Sequence, residues 1–210
     1  MTTGVPAYLS WPLLVLMAII VVVRYRFFNS NQYEAYFNQA LVIMLVANLL
    51  REHAVNRALD EARILTVTQS EQLSLVILMF AAAEIVGLVM VWSKVPAAEV
   101  RRRQRRMRLL AAVLATGFLI AGSPARNAGQ SLEIYGGWVS VLAWIFLTTM
   151  FLVMAGLLTR MSAKEYLGPS AQGREKATAA GMWFIGITVG LTSMEAVVLS
   201  IVQELGWAQT

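Results

Sequence analysis

Apolar runs broken by short polar stretches dominate this chain, at about 8–23, 34–50, 73–92, 107–122, 138–158 and 179–202. A bilayer core about 30 Å thick takes about 20 helical residues. Runs of this length therefore predict an all-α fold, a polytopic bundle of six transmembrane helices in a single membrane domain covering residues 1–210. The second run is the wettest, since Asn38, Gln39 and Asn48 interrupt it. A buried or re-entrant segment, lined by protein, is the alternative there.

The polar stretches are short. Residues 51–72 mix both signs of charge, and the spacing over Ala54–Ile64 predicts a short helix. SPARNAGQSLEIY, residues 123–135, predicts a turn, and Gly168-Pro169-Ser170 a break between the fifth and sixth runs.

Composition agrees with the pattern. The 210 residues are 58% hydrophobic and only 14% charged, against about 25% charged in soluble domains. Residues 1–12 hold no Lys or Arg, so the first run is expected to be a transmembrane helix and not a cleaved signal, which would begin with a basic region. There is no Cys, and His53 is the single His. Thiolate metal sites, iron–sulfur clusters, disulfides and a multi-His zinc site within one chain are excluded. No metal or other cofactor is expected.

Charge then orients the bundle. Lys94, Arg101, Arg102, Arg103, Arg105, Arg106 and Arg108 crowd the stretch between the third and fourth runs. With six crossings, thirteen Lys and Arg fall on one side and four on the other. Positive charge accumulates in cytoplasmic loops, so both termini are expected outside, in a cell membrane of bacterial type. The basic stretch reads as a loop that fixes topology and attracts anionic lipid headgroups. No aromatic side chains interleave with its arginines, so nucleic acid is not an expected partner.

Two carboxylates sit deep in apolar runs, Glu84 in the third and Glu195 in the sixth. An acidic residue at mid-bilayer costs about 2.5–3.5 kcal/mol on insertion scales, and such residues mark ion or proton paths. Glu84 and Glu195 are therefore candidate ion or proton sites, with Asn38, Gln39, Asn48, Thr188 and Thr192 as supporting polar groups. The structural alternative is a neutral Glu hydrogen-bonded to a neighbouring helix. No Lys or Arg lies well inside a run, so neither carboxylate is expected to form an ion pair. Gly186 and Gly190 form a GxxxG, which permits close helix approach.

The stretch Asn48–Leu73 carries Leu50-Arg51, Ala54-Val55, Leu59-Asp60 and Leu65-Thr66. In this order the pairs resemble a segment of a family of actinobacterial multi-pass membrane proteins classed as candidate transporters and often encoded near helix-turn-helix regulators. The resemblance implies a helical membrane protein with a transport or signalling role. It implies no catalytic residues. With no nucleophile–base set, phosphate loop or metal spacing in the sequence, an enzyme is not expected. Two functions remain: a small transporter or channel-like bundle using Glu84 and Glu195, or a non-enzymatic membrane component. The latter would bind a partner membrane protein, assemble with its own copies or regulate a signalling system.

Overall fold

The computed structural model describes residues 7–93, 95–168 and 173–206. Among these the chain forms nine helices: α1 (Ala7–Phe27), α2 (Gln32–Leu49), α3 (His53–Glu61), α4 (Val67–Trp92), α5 (Ala97–Ala121), α6 (Ser123–Asn127), α7 (Leu132–Tyr135), α8 (Gly137–Tyr166) and α9 (Gly173–Glu204). Lys94 lies outside the described residues. The all-α bundle expected from the apolar pattern is present, with a helix over each of the six runs.

Four of these helices, α1, α4, α8 and α9, are long and apolar enough to cross a membrane. A fifth crossing results if α2 and α3, bent by 69° at their junction, count as one broken span. The fourth predicted span, α5, falls short because its first half holds the arginines. The stretch read as a basic loop is helical from Ala97 onward, which corrects that reading: helix continues through residues that hydropathy treats as a connection.

Local chemistry sets the helix starts. Asn31 caps α2, its side chain accepting from the Glu34 amide at 2.9 Å, and Glu34 reaches back to accept from the Ser30 amide at 2.7 Å. Thr66 and Gln69 form a reciprocal capping box, which satisfies two of the amides a helix start leaves open. That box starts α4 at Val67, before its apolar run begins. Gly136 and Gly137 enter α8 with φ of 64° and 79°, values that L side chains rarely adopt. The Gly137 amide then donates to the Glu204 carboxylate, tying the start of α8 to the end of α9.

α4 is the central helix and packs on α2, α5 and α8; α1 rests on α2, and α9 rests on α8. Of α4's apolar stretch 67% is buried, against 6% for α1 and 11% for α9. The core lies between α2, α4, α5 and α8, around Met79, Ala83, Val86, Phe118 and Met150. Few residues of the two flanking helices are fully buried, and both leave many large apolar side chains exposed.

Candidate functional site

The main polar cluster grows from three helices. On α4, Glu84 follows Ala81, Ala82 and Ala83, and its side chain is only 5% exposed. On α5, Val100, Gln104, Arg108 and Ala111 recur at helical spacing and so share the face turned toward α4, and Val100, Gln104 and Ala111 are buried there. Arg108 Nε donates to Glu84 Oε1 at 2.7 Å and Nη2 to Glu84 Oε2 at 2.9 Å. This is a two-pronged guanidinium–carboxylate pair, the strongest geometry available to these groups. Gln104 Nε2 adds a bond to Glu84 Oε2 at 3.1 Å and another to the Ala83 carbonyl at 2.9 Å. From α2, Gln39 Oε1 accepts from Arg108 Nη2 at 3.2 Å.

Gly87, one turn beyond Glu84, makes room for this network. A Cβ there would lie 2.8 Å from Gln104 Oε1 and 3.0 Å from a ring carbon of Tyr36. Gln104 Oε1 is itself buried without a hydrogen-bond donor among the described residues.

The expectation that Glu84 has no positive partner is thus corrected. Arg108 lies eleven residues into α5, about 16 Å along its axis, and is a helix residue facing α4 instead of a loop residue. Its spacing from Val100 and Gln104 is the sequence signal that identifies it. Arg101, Arg102, Arg103, Arg105 and Arg106 are exposed on the other faces of the same helix, and Arg103 pairs with Glu99 one turn away.

Of the supporting polar residues, only Gln39 joins Glu84. Asn38 is buried on α2 and reaches back to α1 and the turn after it, where its Oδ1 accepts from Arg24 Nε at 2.8 Å and its Nδ2 donates to the Phe28 carbonyl at 2.7 Å. The Arg24 guanidinium lies 4.3 Å from the centre of the Phe37 ring. Asn48 donates to the Met44 carbonyl of its own helix at 2.8 Å. Thr188 and Thr192 bond back to the carbonyls of Phe184 and Thr188, each at 3.0 Å. These groups satisfy local backbone and line no path with Glu84.

Glu195 is the opposite case. It is exposed on α9, and no hydrogen bond or ion pair engages it among the described residues. α9 packs on α8, and α8 in turn packs on α4, so the helices carrying the two glutamates are separated by α8. The GxxxG faces α8: a Cβ at Gly186 would lie 3.2 Å from the Ala155 carbonyl oxygen.

Sequence reasoning missed a second cluster near the N-terminal end of α4. Gln72 Nε2 donates to the Gly122 carbonyl at 3.1 Å, and Arg126 donates to Gln72 Oε1. Comparison of the chain with protein-family models, curated proteins and solved structures gives no match. Its chemistry is therefore read from its own side chains. Among the described residues no three His, Cys, Asp or Glu side chains converge as a metal site would require. A cavity of about 210 Å³ lies between α7, α8 and the end of α9, lined by Ser140, Trp144 and Glu204, and an open groove of about 450 Å³ runs along Gly156, Gly186 and Gly190. Glu84 lines neither.

Proposed function

We propose that this chain is a six-crossing protein of a bacterial cytoplasmic membrane, with both ends outside. It acts as a non-enzymatic component that assembles with another membrane-spanning chain through α9. Glu195 carries this reading: it is an ionisable side chain on the outward face of an apolar helix, with no hydrogen-bond or ion-pair partner among the described residues. Side chains of this kind pair with one another or face water when they lie within a bilayer, so an exposed one calls for a covering surface. Glu84, by contrast, is saturated by Arg108 and Gln104 and acts as a structural lock between α2, α4 and α5. The exposed arginines of α5 add attraction to anionic headgroups, about 1 kcal/mol each near such a surface.

The Gln39–Arg108–Glu84–Gln104 network favours one second reading, a proton or cation path through Glu84. Two measurements separate the readings. A photo-reactive residue at Leu191 or Val198, with Glu195 intact, is expected to form a protein adduct in intact membranes, and reconstituted vesicles are expected to show no proton or cation flux above the lipid background. Lipid-only adducts, together with a flux abolished by Glu84→Gln, would establish the transporter instead. For orientation, a single cysteine replacing His53 is expected to be labelled from outside and one replacing Arg103 only from inside. The reverse pattern overturns the topology.

A further inference from the structure

The cavity of about 210 Å³ between α7, α8 and the end of α9 is charged with one sign. Glu133 of α7 and Glu204 of α9 line it, and no Lys, Arg or His does so among the described residues. The Glu204 carboxylate accepts the Gly137 amide through Oε1, which leaves Oε2 without a partner among the described residues. Glu133 likewise has no hydrogen bond or ion pair among them. Ser140, on α8, also lines the cavity. It is only 4% exposed, yet its hydroxyl has no hydrogen-bond partner among the described residues. Its counterpart Ser200, on α9, is satisfied by the Ala196 carbonyl at 2.8 Å. A buried hydroxyl left open is costly, so Ser140 marks a place where a ligand's polar group has something to gain. Trp144 adds an aromatic wall.

We infer that this cavity binds a small organic ammonium ion. The inference stands on the cavity alone and needs neither the assembly reading nor the orientation proposed above. A primary ammonium carries three donors, and Glu133, Glu204 and Ser140 offer acceptors that the fold leaves open. Hydrogen bonds between ionised partners are the strong ones, and an indole is the best aromatic surface for a cation. A bare divalent cation is a poorer fit. Calcium takes six to eight oxygen ligands, whereas much of this lining is apolar. The volume sets the size of the ion. A dry cavity of about 150 Å³ holds benzene, so 210 Å³ accommodates one ring or a short branched chain together with its ammonium group.

The full-length protein in lipid nanodiscs is titrated with benzylammonium. Benzyl alcohol and benzoate serve as neutral and anionic probes of the same ring size, and empty nanodiscs give the lipid background. Equilibrium dialysis reads Kd. Benzylammonium is expected to bind about tenfold or more tightly than either control, the range of one charge-assisted hydrogen bond. Glu204→Gln, which keeps an acceptor oxygen for the Gly137 amide, is expected to weaken it about 10- to 100-fold. Ser140→Ala is expected to weaken it about 2- to 10-fold, as for one neutral hydrogen bond. Ala196→Phe fills the cavity from α9 and is expected to abolish binding with both carboxylates in place. Each variant is checked for an unchanged circular dichroism spectrum and elution volume. Should Glu204→Gln fail that check, Ala196→Phe and Glu133→Gln decide the matter. No saturable binding above the empty nanodiscs, or equal affinity for benzylammonium and benzyl alcohol, overturns the inference. So does binding indifferent to the folded variants, which would place the cation elsewhere on the protein.

Discussion

Replacing Arg108 with Ala is expected to destabilise the bundle by about 1–3 kcal/mol, the cost of leaving the buried Glu84 carboxylate without its charged partner. The asymmetry of the pair sets the direction of the experiment. The Glu84 side chain is 5% exposed and that of Arg108 47%. Removing the guanidinium therefore leaves a buried carboxylate without its charged partner, whereas removing the carboxylate leaves an arginine whose long stem can carry its charge to the surface of the bundle. Glu84→Gln should cost less than Arg108→Ala. The double variant Glu84→Gln/Arg108→Ala should recover much of the loss, because no buried charge remains. Arg108→Lys should fall between, since an ammonium cannot reproduce the two parallel bonds of the guanidinium. Reversible unfolding in mixed micelles reads all four. Strictly additive costs for the single and double changes would mean that the pair contributes no coupling.

Gly186→Ala is expected to cost about 1–3 kcal/mol through overpacking, with Gly186→Val more severe. The added Cβ would lie 2.5 Å from Thr159 Oγ1, 3.1 Å from the Thr159 amide nitrogen and 3.2 Å from the Ala155 carbonyl oxygen. The hydroxyl can rotate away, but the two backbone atoms cannot move without shifting α8. Gly190→Ala is the internal control, because its Cβ would make an ordinary contact at 3.5 Å with the Ala155 side chain. The measurement is unfolding together with protease access to the α8–α9 connection. Equal effects at Gly186 and Gly190 would refute close approach at Gly186.

The six long helices were legible because apolar runs of this length have few other destinations. Their true ends were not, because hydropathy registers what a bilayer accepts and is silent on where helix stops. α4 begins at Val67, where a capping box rewards a helix start, and its first residues are too polar to belong to the run. α8 continues to Tyr166, past the last apolar cluster, because nothing in TRMSAKEY breaks a helix. Arg108 was hidden for a related reason. Counted with its neighbours it is topological charge, and only its i+4 relation to Gln104 separates it from them. The outward placement of Glu195 was half-visible, since the GxxxG marks the opposite side of α9 as the packed one.

The ion pair also bears on how the chain enters a bilayer. Residues 104–121 of α5 still carry Arg105, Arg106 and Arg108, and each arginine at mid-span costs about 2.5–3.5 kcal/mol on insertion scales. The uncharged remainder, residues 109–121, spans only about 20 Å as helix, too little to leave an insertion channel alone. Glu84 precedes Arg108 in the chain, so in the six-crossing arrangement proposed above α4 is made first and offers its carboxylate to α5. On that proposal α4 serves as a built-in chaperone for α5, and the order of the two partners along the polypeptide lets the pair enter as a hairpin.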